Sequence, residues 1–323
     1  MTGIIRFHQT GGPDVLRWET TEVGEPARDQ VRLRHNAIGL NFIDVYERSG
    51  LYQVPLPATP GKEAAGVIEA VGPGVKDLKI GDRVAYALHG SGSYAEVRIA
   101  PADRLVKIPQ ALDDRVAAAA TLKGLTAQAL LRQVYRVRKG DALLIHAAAG
   151  GVGSILVQWA RHLGATVIAV VGSAAKADLV RELGAQHALL SGDDWVAQAK
   201  AITGGRGVVA AYDSVGKDTF MNSLDALRPR GMMVSYGNAS GAPPLISPLE
   251  LAKRGSLFLT RPTLFHYVAA RPALVRAAQE LFDLIARGVI KVRIDQTYPL
   301  QEAARAHADL EARRTTGSTV LLP

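Results

Sequence analysis

The 323-residue chain contains no cysteine. This absence excludes disulfide bonds, a thiolate nucleophile, cysteine-held iron–sulfur clusters and cysteine-ligated zinc. A chain without thiols fits a reducing compartment, and residues 1–12 lack the apolar stretch that a signal peptide needs. We therefore expect a cytoplasmic protein.

A long membrane-spanning apolar run is also missing. Residues 142–160 carry no formal charge, but they include His146 and several glycines. The pattern changes halfway from a short apolar block to helical spacing, which favours a buried strand, a tight turn and a helix. No membrane insertion is expected.

Acidic residues are fewer than basic ones, with 30 Asp and Glu against 38 Lys and Arg, so the formal net charge is +8. The basic residues are scattered, aromatic residues make up only 6%, and no zinc-finger or RNP pattern accompanies them. No dedicated nucleic-acid partner is expected from this distribution.

The beginning of the chain is rich in short alternating segments bounded by glycine or proline, which are typical of half-buried strands. Strands are predicted at residues 30–40, 65–71, 83–88 and 94–99, and a helix at 41–48, with Asn41 suited to cap its start. This part of the protein is predicted to be mostly β.

From about Thr121 onward, short apolar strands alternate with helices, a pattern that requires a parallel sheet covered on both faces. The predicted strands are 142–147, 166–171, 207–212, 232–236 and 257–260, and the predicted helices are 151–163, 174–183, 195–202 and 219–227. Residues 117–120 are interpreted as a short helical patch.

The last segments do not continue this repeat. Helices are predicted at 272–287 and 300–311 and a final strand at 318–322, so we expect the tail to return to the N-terminal domain. The predicted fold class is α/β, a Rossmann doubly wound parallel sheet inserted into the mostly β domain. The predicted domains are residues 1–122 with 265–323, and residues 123–264.

The most informative segment is residues 143–153, which follows a predicted strand and opens a helix. A pyrophosphate can approach the free N–H groups of a helix start only where side chains are absent, as at Gly150 and Gly151. Gly153 would let the helix pack on the strand, and Ala147 replaces the first glycine of the usual fingerprint. This context predicts a dinucleotide site, with a simple tight turn as the alternative.

The type of dinucleotide is read at the end of the second strand of such a unit. Residues 171–176 contain no carboxylate there, whereas Ser173 can donate a hydrogen bond and Lys176 can supply positive charge to a 2′-phosphate. The alternative is that Lys176 is a solvated helix residue. The sequence predicts NADPH rather than NADH.

Several motifs in order resemble one family over essentially the whole chain, the zeta-crystallin-like, zinc-free quinone oxidoreductases of the medium-chain dehydrogenase/reductase superfamily. The matching segments are Phe7-His8-x-x-Gly11-Gly12-Pro13, Gly39-x-Asn41-Phe42-Ile43-Asp44, Arg48-Ser49-Gly50-Leu51-Tyr52, Lys123-Gly124-Leu125-Thr126, Gly140-Asp141-x-x-Leu144-x-x-x-Ala148-Ala149-Gly150-Gly151-x-Gly153-x-x-x-x-Gln158-x-x-Arg161, Tyr212-Asp213-Ser214-Val215-Gly216, Gly237-Asn238-Ala239-Ser240-Gly241 and Thr260-Arg261-Pro262.

This resemblance implies a GroES-like N-terminal domain, a Rossmann domain that binds NADPH, an active site in the cleft between them, and a homodimer. The implied activity is metal-free transfer of hydride or electrons from NADPH to a quinone. Zinc-dependent relatives carry a Cys ligand where this chain has Asn41 and a His-Glu pair where it has Lys62-Glu63. No Lewis acid is then available for alcohol oxidation.

The resemblance also implies the site residues. The implied catalytic residues are Asn41, Tyr46, Tyr52 and Lys123. The implied cofactor-binding residues are Asn41, Tyr46, Lys123, Thr126, Gly150, Gly151, Val152, Gly172, Ser173, Lys176, Gly237, Asn238, Ser240, Thr260, Arg261, Pro262 and Arg313, and no metal ligand is implied. Ser191 stands where relatives often carry a tyrosine near the adenosine phosphate.

Each polar residue also has a structural alternative. Asn41 could only cap its helix, Tyr46 and Tyr52 could be packing aromatics, and Lys123 could be a solvated linker lysine. His146, on a predicted strand, is interpreted as a core histidine. For the function, an NADPH-dependent alkenal or enone reductase is the nearest alternative, with Tyr46 or Tyr52 as proton donor. An RNA-binding or crystallin-like structural role is the second alternative.

Overall fold

A computed structural model describes residues 1–87 and 90–323. The chain divides into two compact units. The first unit comprises Met1–Leu125, Val268–Ala286 and Val292–Pro323, and the second comprises Thr126–Tyr267 and Arg287–Lys291. The predicted domain limits, after residues 122 and 264, stay predictions. None of the helices described combines the length and apolar character that a membrane crossing needs.

The strands are β1 (Thr2–Arg6), β2 (Arg17–Thr21), β3 (Gln30–Leu40), β4 (Glu63–Val71), β5 (Arg83–Ala87), β6 (Val97–Pro101), β7 (Leu105–Lys107), β8 (Ala142–His146), β9 (Thr166–Val171), β10 (His187–Leu190), β11 (Val208–Asp213), β12 (Leu227–Ser235), β13 (Phe258–Thr260), β14 (Ile294–Pro299) and β15 (Ser318–Leu322).

The helices are α1 (Phe42–Ser49), α2 (Asp114–Ala129), α3 (Gly151–His162), α4 (Ala174–Glu182), α5 (Trp195–Ile202), α6 (Phe220–Asp225), α7 (Pro248–Lys253), α8 (Leu264–Tyr267), α9 (Arg271–Ala286) and α10 (Ala303–Glu311). Short 3₁₀ turns cover Pro13–Val15, Ala102–Arg104 and Leu300–Glu302, and a π-helical turn, Leu130–Val134, follows α2.

The first unit is built around a seven-stranded sheet with the order β14-β15-β3-β4-β5-β7, and β6 pairs with β3 outside that path. Strand β3 has the predicted bounds, and its alternating residues Val31, Leu33 and His35 are buried. That alternation places one face of the strand on an apolar core that includes Phe7 and Tyr86. The prediction of a mostly β first part is confirmed.

The second unit has a six-stranded sheet in the order β10-β9-β8-β11-β12-β13, with every pair parallel. The chain runs outward from β8 to β10, returns to lay β11 beside β8, and then runs outward on the other side. Buried side chains from strands and helices, among them Leu144, Trp195 and Met233, form its core. The predicted doubly wound sheet is therefore confirmed.

Some predicted bounds were wrong. The strand predicted at 94–99 begins at Val97, because the Tyr94 carbonyl instead accepts from the Ile5 N–H (2.9 Å) and the Tyr94 N–H donates to Pro60 (3.0 Å). Strand β12 begins at Leu227, within the helix predicted at 219–227, which ends at Asp225. The patch at 117–120 is part of the sixteen-residue helix α2. Leu88, the predicted end of β5, lies outside the described residues.

Candidate functional site

Strand order in the second unit marks a candidate ligand site. Strands β8 and β11 are neighbours, yet the chain leaves them in opposite directions across the sheet. In open parallel sheets, ligands bind outside the carboxyl ends of the strands at such a reversal. All predicted cofactor residues of this unit except Thr126, Lys176 and Thr260 lie in the loops and helix starts directly after β8, β9, β12 and β13, and Thr260 is the last residue of β13. The structure therefore brings them to one edge of the sheet.

The glycine turn connects β8 to α3 as predicted. Ala147 adopts a positive φ of 47°, the conformation for which the usual first glycine is suited. A Cβ on Gly153 would overlap the Ala147 carbonyl oxygen and come within 2.7 Å of the Ala148 Cα, so the helix approaches the strand end as closely as glycine permits. Gly150 is the extended N-cap residue and brings no side chain to the helix start.

This turn passes a physical test for holding a phosphate. The first N–H groups of an α-helix, here those of Gly151, Val152 and Gly153, have no acceptor within the helix, and they carry the positive end of the helix dipole. No charged side chain stands in the first turn of α3. The turn therefore suits the pyrophosphate of a dinucleotide.

Ser173, which follows β9, also caps a helix. Ser173 is the N-cap of α4, and its Oγ accepts a hydrogen bond from the Lys176 N–H at 3.4 Å. Ser173 is exposed and the Lys176 side chain is partly buried. A Cβ on Gly172 would lie 4.0 Å from the Ser191 Oγ, so the residue that departs from the family pattern adjoins this turn.

Asp213 fixes the loop after β11. Its Oδ1 accepts from the N–H groups of Val215 (2.8 Å) and Gly216 (3.0 Å), while Oδ2 accepts from the hydroxyls of Thr219 (2.7 Å) and Ser223 (3.0 Å). The carboxylate is fully buried. These four hydrogen bonds to one carboxylate hold the loop after β11 in place.

His146 belongs to the same buried network. Its Nε2 lies 2.9 Å from the Ser223 Oγ, and its ring meets Trp195 edge to face with centroids 4.8 Å apart. Burial lowers the pKa of His146, and Asp213 opposes that shift. The interpretation of His146 as a satisfied core histidine is confirmed.

The loop after β12 packs on the loop after β11. A Cβ on Gly237 would overlap the Ser214 carbonyl oxygen, and the Ser240 Oγ donates to the Val215 carbonyl at 3.0 Å. Asn238 is buried. After β13, the exposed Arg261 donates from Nη1 to the Gly237 carbonyl at 3.1 Å. Thr260 and Pro262 flank this arginine and are partly exposed.

In the first unit, Asn41 and Lys123 meet at one carboxylate. Asn41 is the N-cap residue of α1, and its Nδ2 donates to the Glu63 Oε1 at 2.8 Å. The Lys123 Nζ donates to the same oxygen at 2.5 Å. Lys123 is buried within α2, so its interpretation as a solvated linker lysine is wrong. Thr126 stands three residues later on this helix, at the start of the second unit.

Tyr46 and Tyr52 pack together in the first unit. Their ring centroids lie 5.3 Å apart in an edge-to-face arrangement, and the Tyr52 N–H donates to the Tyr46 carbonyl at 3.0 Å. Tyr46 is buried and Tyr52 is partly exposed. Both rings therefore contribute to packing, and this geometry is compatible with the catalytic role that the resemblance implies.

Arg313 lies after α10. It is exposed and has a positive φ of 58°.

Beneath α1 lies a buried polar cluster. The Asp44 Oδ2 accepts from the Asn41 N–H (2.9 Å) and the Tyr94 hydroxyl (3.1 Å), and that hydroxyl lies 3.0 Å from the His307 Nε2. Burial raises the pKa of Asp44 to about 7 and lowers the pKa of His307 to about 3. The cluster holds the helix start that presents Asn41.

The positions that correspond to zinc ligands do not fit a metal. The Lys62 Nζ forms an ion pair with the Glu47 Oε1 at 2.6 Å and also donates to the Ser91 Oγ at 3.1 Å. The NH₂ group of Asn41 faces Glu63, and neither an ammonium nor an amide NH₂ has a lone pair for zinc. Within residues 1–87 and 90–323, no group of three or more His, Cys, Asp or Glu could hold a metal ion.

Comparisons with known proteins agree with this geometry. Residues 27–110 match the alcohol dehydrogenase GroES-like domain, and residues 151–286 match the zinc-binding dehydrogenase domain. A quinone oxidoreductase of Pseudomonas aeruginosa is 49% identical over 321 residues, which cover 99% of both chains. The chain belongs to the quinone oxidoreductase family. It is a zinc-free member of the medium-chain dehydrogenases/reductases, as the motifs predicted.

Two further relatives of this quinone oxidoreductase family member are named for different substrates. The crystal structure of Escherichia coli quinone oxidoreductase complexed with NADPH has a TM-score of 0.98 and 47% identity, covering 99% of this chain and 100% of that one. A 2-haloacrylate reductase of Burkholderia sp. is 49% identical over 326 residues, covering 98% of each protein.

The sequence motifs did not indicate the roles of Glu63 and Asp213. Glu63 belongs to the pair that replaces the His-Glu zinc motif, and Asp213 belongs to one of the family segments. A signal was present for Asp213, which directly follows the strand predicted at 207–212 and must find donors there. Glu63 lies two residues before the strand predicted at 65–71, so its place at the start of β4 was not predicted.

Proposed function

We propose that this protein is an NADPH:quinone oxidoreductase. NADPH supplies a hydride equivalent, which together with one proton converts a quinone to a hydroquinone and leaves NADP⁺. The glycine turn between β8 and α3, at the reversal of strand order, carries the proposal. A quinone needs little polarisation because its reduction forms an aromatic ring. The site's lack of a fitting zinc ligand set is consistent with such an acceptor.

Each group of candidate residues is assigned to one part of the dinucleotide. We assign the pyrophosphate to Gly150, Gly151 and Val152, the 2′-phosphate to Ser173 and Lys176, and the nicotinamide with its ribose to Asn41, Tyr46, Tyr52 and Lys123. The other cofactor residues that we propose are Thr126, Gly172, Gly237, Asn238, Ser240, Thr260, Arg261, Pro262 and Arg313. Solvent supplies the proton of the hydroquinone, whereas reduction of an activated alkene would need Tyr46 or Tyr52 as proton donor.

A comparison of acceptors tests the reaction. We expect NADPH oxidation with 1,4-benzoquinone or a naphthoquinone to have a higher kcat/KM than with small enals or 2-haloacrylates. The alkene reductase alternative is favoured by one observation, the equally similar 2-haloacrylate reductase. A large kcat/KM preference for activated alkenes would establish that alternative instead.

Lys176→Ala is expected to reduce the preference for NADPH over NADH about tenfold, since a charge-assisted hydrogen bond to a phosphate contributes on the order of 1.4 kcal/mol or more. The measurement is kcat/KM for both cofactors with one quinone. Lys200→Ala, which removes an exposed lysine near the end of α5, is the matched control and should leave the ratio unchanged. Equal kcat/KM values for the two cofactors in the unmodified protein would contradict the assignment.

We also propose a homodimer formed through β13. This strand ends the six-stranded sheet, and its Phe258 and Leu259 are exposed by 56% and 39%. An exposed apolar edge strand favours pairing with a second copy. Analytical ultracentrifugation should give twice the chain mass, and Phe258→Lys should shift the protein toward the monomer. A cytoplasmic location remains a prediction from the cysteine-free sequence, which cell fractionation tests.

A further inference from the structure

Glu63 is a fully buried carboxylate at the start of β4. Its Oε1 accepts from the Asn41 Nδ2 (2.8 Å) and the Lys123 Nζ (2.5 Å). Its Oε2 accepts from the Leu122 N–H at 2.6 Å. These donors come from the start of α1 and from two consecutive residues of α2, so one carboxylate joins three elements of the first unit.

Hydrogen-bond chemistry fixes the direction of the Asn41 amide. An ionised carboxylate only accepts, so Asn41 must turn its NH₂ group toward Glu63. That orientation directs the amide oxygen of Asn41 away from Glu63. Glu63 also fixes the position of the Lys123 ammonium. This group is a point charge on a flexible side chain, and its hydrogen bond to Glu63 restricts where it can lie.

The facing strand leaves space for this carboxylate because it has a glycine, with no side chain, at the paired position. Gly39 of β3 is paired with Glu63 across the antiparallel ladder. A Cβ on Gly39 would overlap both the Glu63 Oε1 and the Ala118 carbonyl oxygen. Glycine at this position therefore permits the approach of Glu63 to its donors.

Stability is a weak explanation for this arrangement. Desolvation of a buried ion pair often cancels its Coulomb attraction, and apolar replacements of similar volume are commonly as stable or more so. The first unit contains a second buried pair, in which Glu47 binds Lys62 at 2.6 Å and accepts from the Ser91 Oγ at 2.5 Å. None of these three residues belongs to the predicted site, whereas Asn41 and Lys123 both do.

We propose that Glu63 is a positioning residue for the reaction. It sets the direction of the Asn41 amide and holds the Lys123 ammonium, and it acts on the cofactor and the quinone only through these two residues. This inference rests on the proposed function, because Asn41 and Lys123 are assigned there to the nicotinamide side.

A double-mutant cycle between Glu63→Gln and Asn41→Ala tests the inference. In the Glu63→Gln variant the new amide NH₂ would face either the Leu122 N–H or the donors Asn41 and Lys123, so at least one of these hydrogen bonds must fail. We expect Glu63→Gln to lower kcat/KM for 1,4-benzoquinone about tenfold or more in the unmodified protein, but less than about twofold in the Asn41→Ala background. The dissociation constant for NADPH, measured by fluorescence, forms a second cycle that needs no quinone.

Two further variants separate positioning from folding. Glu47→Gln breaks the other buried ion pair, and we expect it to lower Tm but to act additively with Asn41→Ala in both cycles. Glu63→Asp keeps the charge but shortens the reach by one methylene. We expect it to fold and to lose most of the activity that Glu63→Gln loses, and it replaces Glu63→Gln in the cycles if that variant does not fold.

The outcomes are distinct. Additive effects of Glu63→Gln and Asn41→Ala in both cycles assign Glu63 a structural role and overturn the inference. Wild-type kinetics in Glu63→Asp would also overturn it. A protein that binds NADPH but does not reduce quinones contradicts the proposed function alone, since coupling in NADPH binding still decides the role of Glu63. Failure to bind NADPH overturns both.

Discussion

Gly153→Ala is expected to destabilise the protein by about 2 kcal/mol and to weaken NADPH binding at least about tenfold. Two effects of opposite sign compete here. Alanine within a helix gains about 1 kcal/mol over glycine. The new Cβ would overlap the Ala147 carbonyl and lie 2.7 Å from the Ala148 Cα, and such overpacking of rigid backbone costs about 3 kcal/mol. The steric cost is larger, so α3 must move away from β8.

Urea unfolding and fluorescence titration with NADPH measure the two effects of Gly153→Ala. Gly192→Ala is the matched control in the same unit, because Gly192 is exposed and a Cβ there would meet no atom within 4 Å. Gly150→Ala is an intermediate case, since its Cβ would lie 3.2 Å from the Ala147 carbonyl oxygen. A Gly153→Ala protein that gains stability and binds NADPH normally would show that the close approach of helix and strand is not needed.

Local patterns were sufficient to predict much of the fold. Strands such as Thr166–Val171 and Ser318–Leu322 have the predicted bounds, since continuous apolar runs mark strands that are buried on both faces. Only a short patch of helix α2 was predicted, and the reason is related. Residues Ala117 to Ala120 are fully buried, and a helix enclosed on all sides carries no polar face to reveal its period.

The candidate residues of the two units differed in how well the sequence could predict them. The glycine turn lies within a few consecutive residues, so its strand, turn and helix could be predicted together. Glu63 binds Asn41 and Lys123 across 22 and 60 residues of chain, and only the folded structure brings those distances to hydrogen-bond length. The burial of Lys123 follows from the same long-range contact.

The stability of the first unit is expected to fall as the pH falls from about 6.5 to 4. The reason is that two histidines are buried in neutral form in the folded unit, whereas the unfolded chain can protonate them. Burial lowers the pKa of His35 to about 3, although its hydrogen bond to the Ala95 carbonyl opposes this, and it lowers the pKa of His307 to about 3. Below about pH 6.5, both rings take up protons in the unfolded chain but not in the folded one. Their stabilising contribution is therefore present above that pH and is lost as the pH falls.

Asp44 acts in the opposite direction. Burial raises its pKa to about 7, although the Asn41 N–H and the Tyr94 hydroxyl favour its charged form. Between about pH 4 and 7 the folded state therefore holds one proton that the unfolded state lacks. Two histidines minus one aspartic acid leave a net uptake of about one proton on unfolding, so the free energy of unfolding should fall by about 1.4 kcal/mol per pH unit from these groups.

Two single substitutions are expected to change this slope with opposite signs. His307→Asn removes one histidine and should nearly abolish the contribution of these groups between pH 4.5 and 6.5. Asp44→Asn removes the opposing carboxyl and should steepen the fall by about 1.4 kcal/mol per pH unit. Urea unfolding at several pH values measures the slopes, which stay comparable even if both variants start from lower stability. Equal slopes in all three proteins would show that His307 and Asp44 titrate alike in the folded and unfolded chains, and the buried cluster beneath α1 would then be open to water.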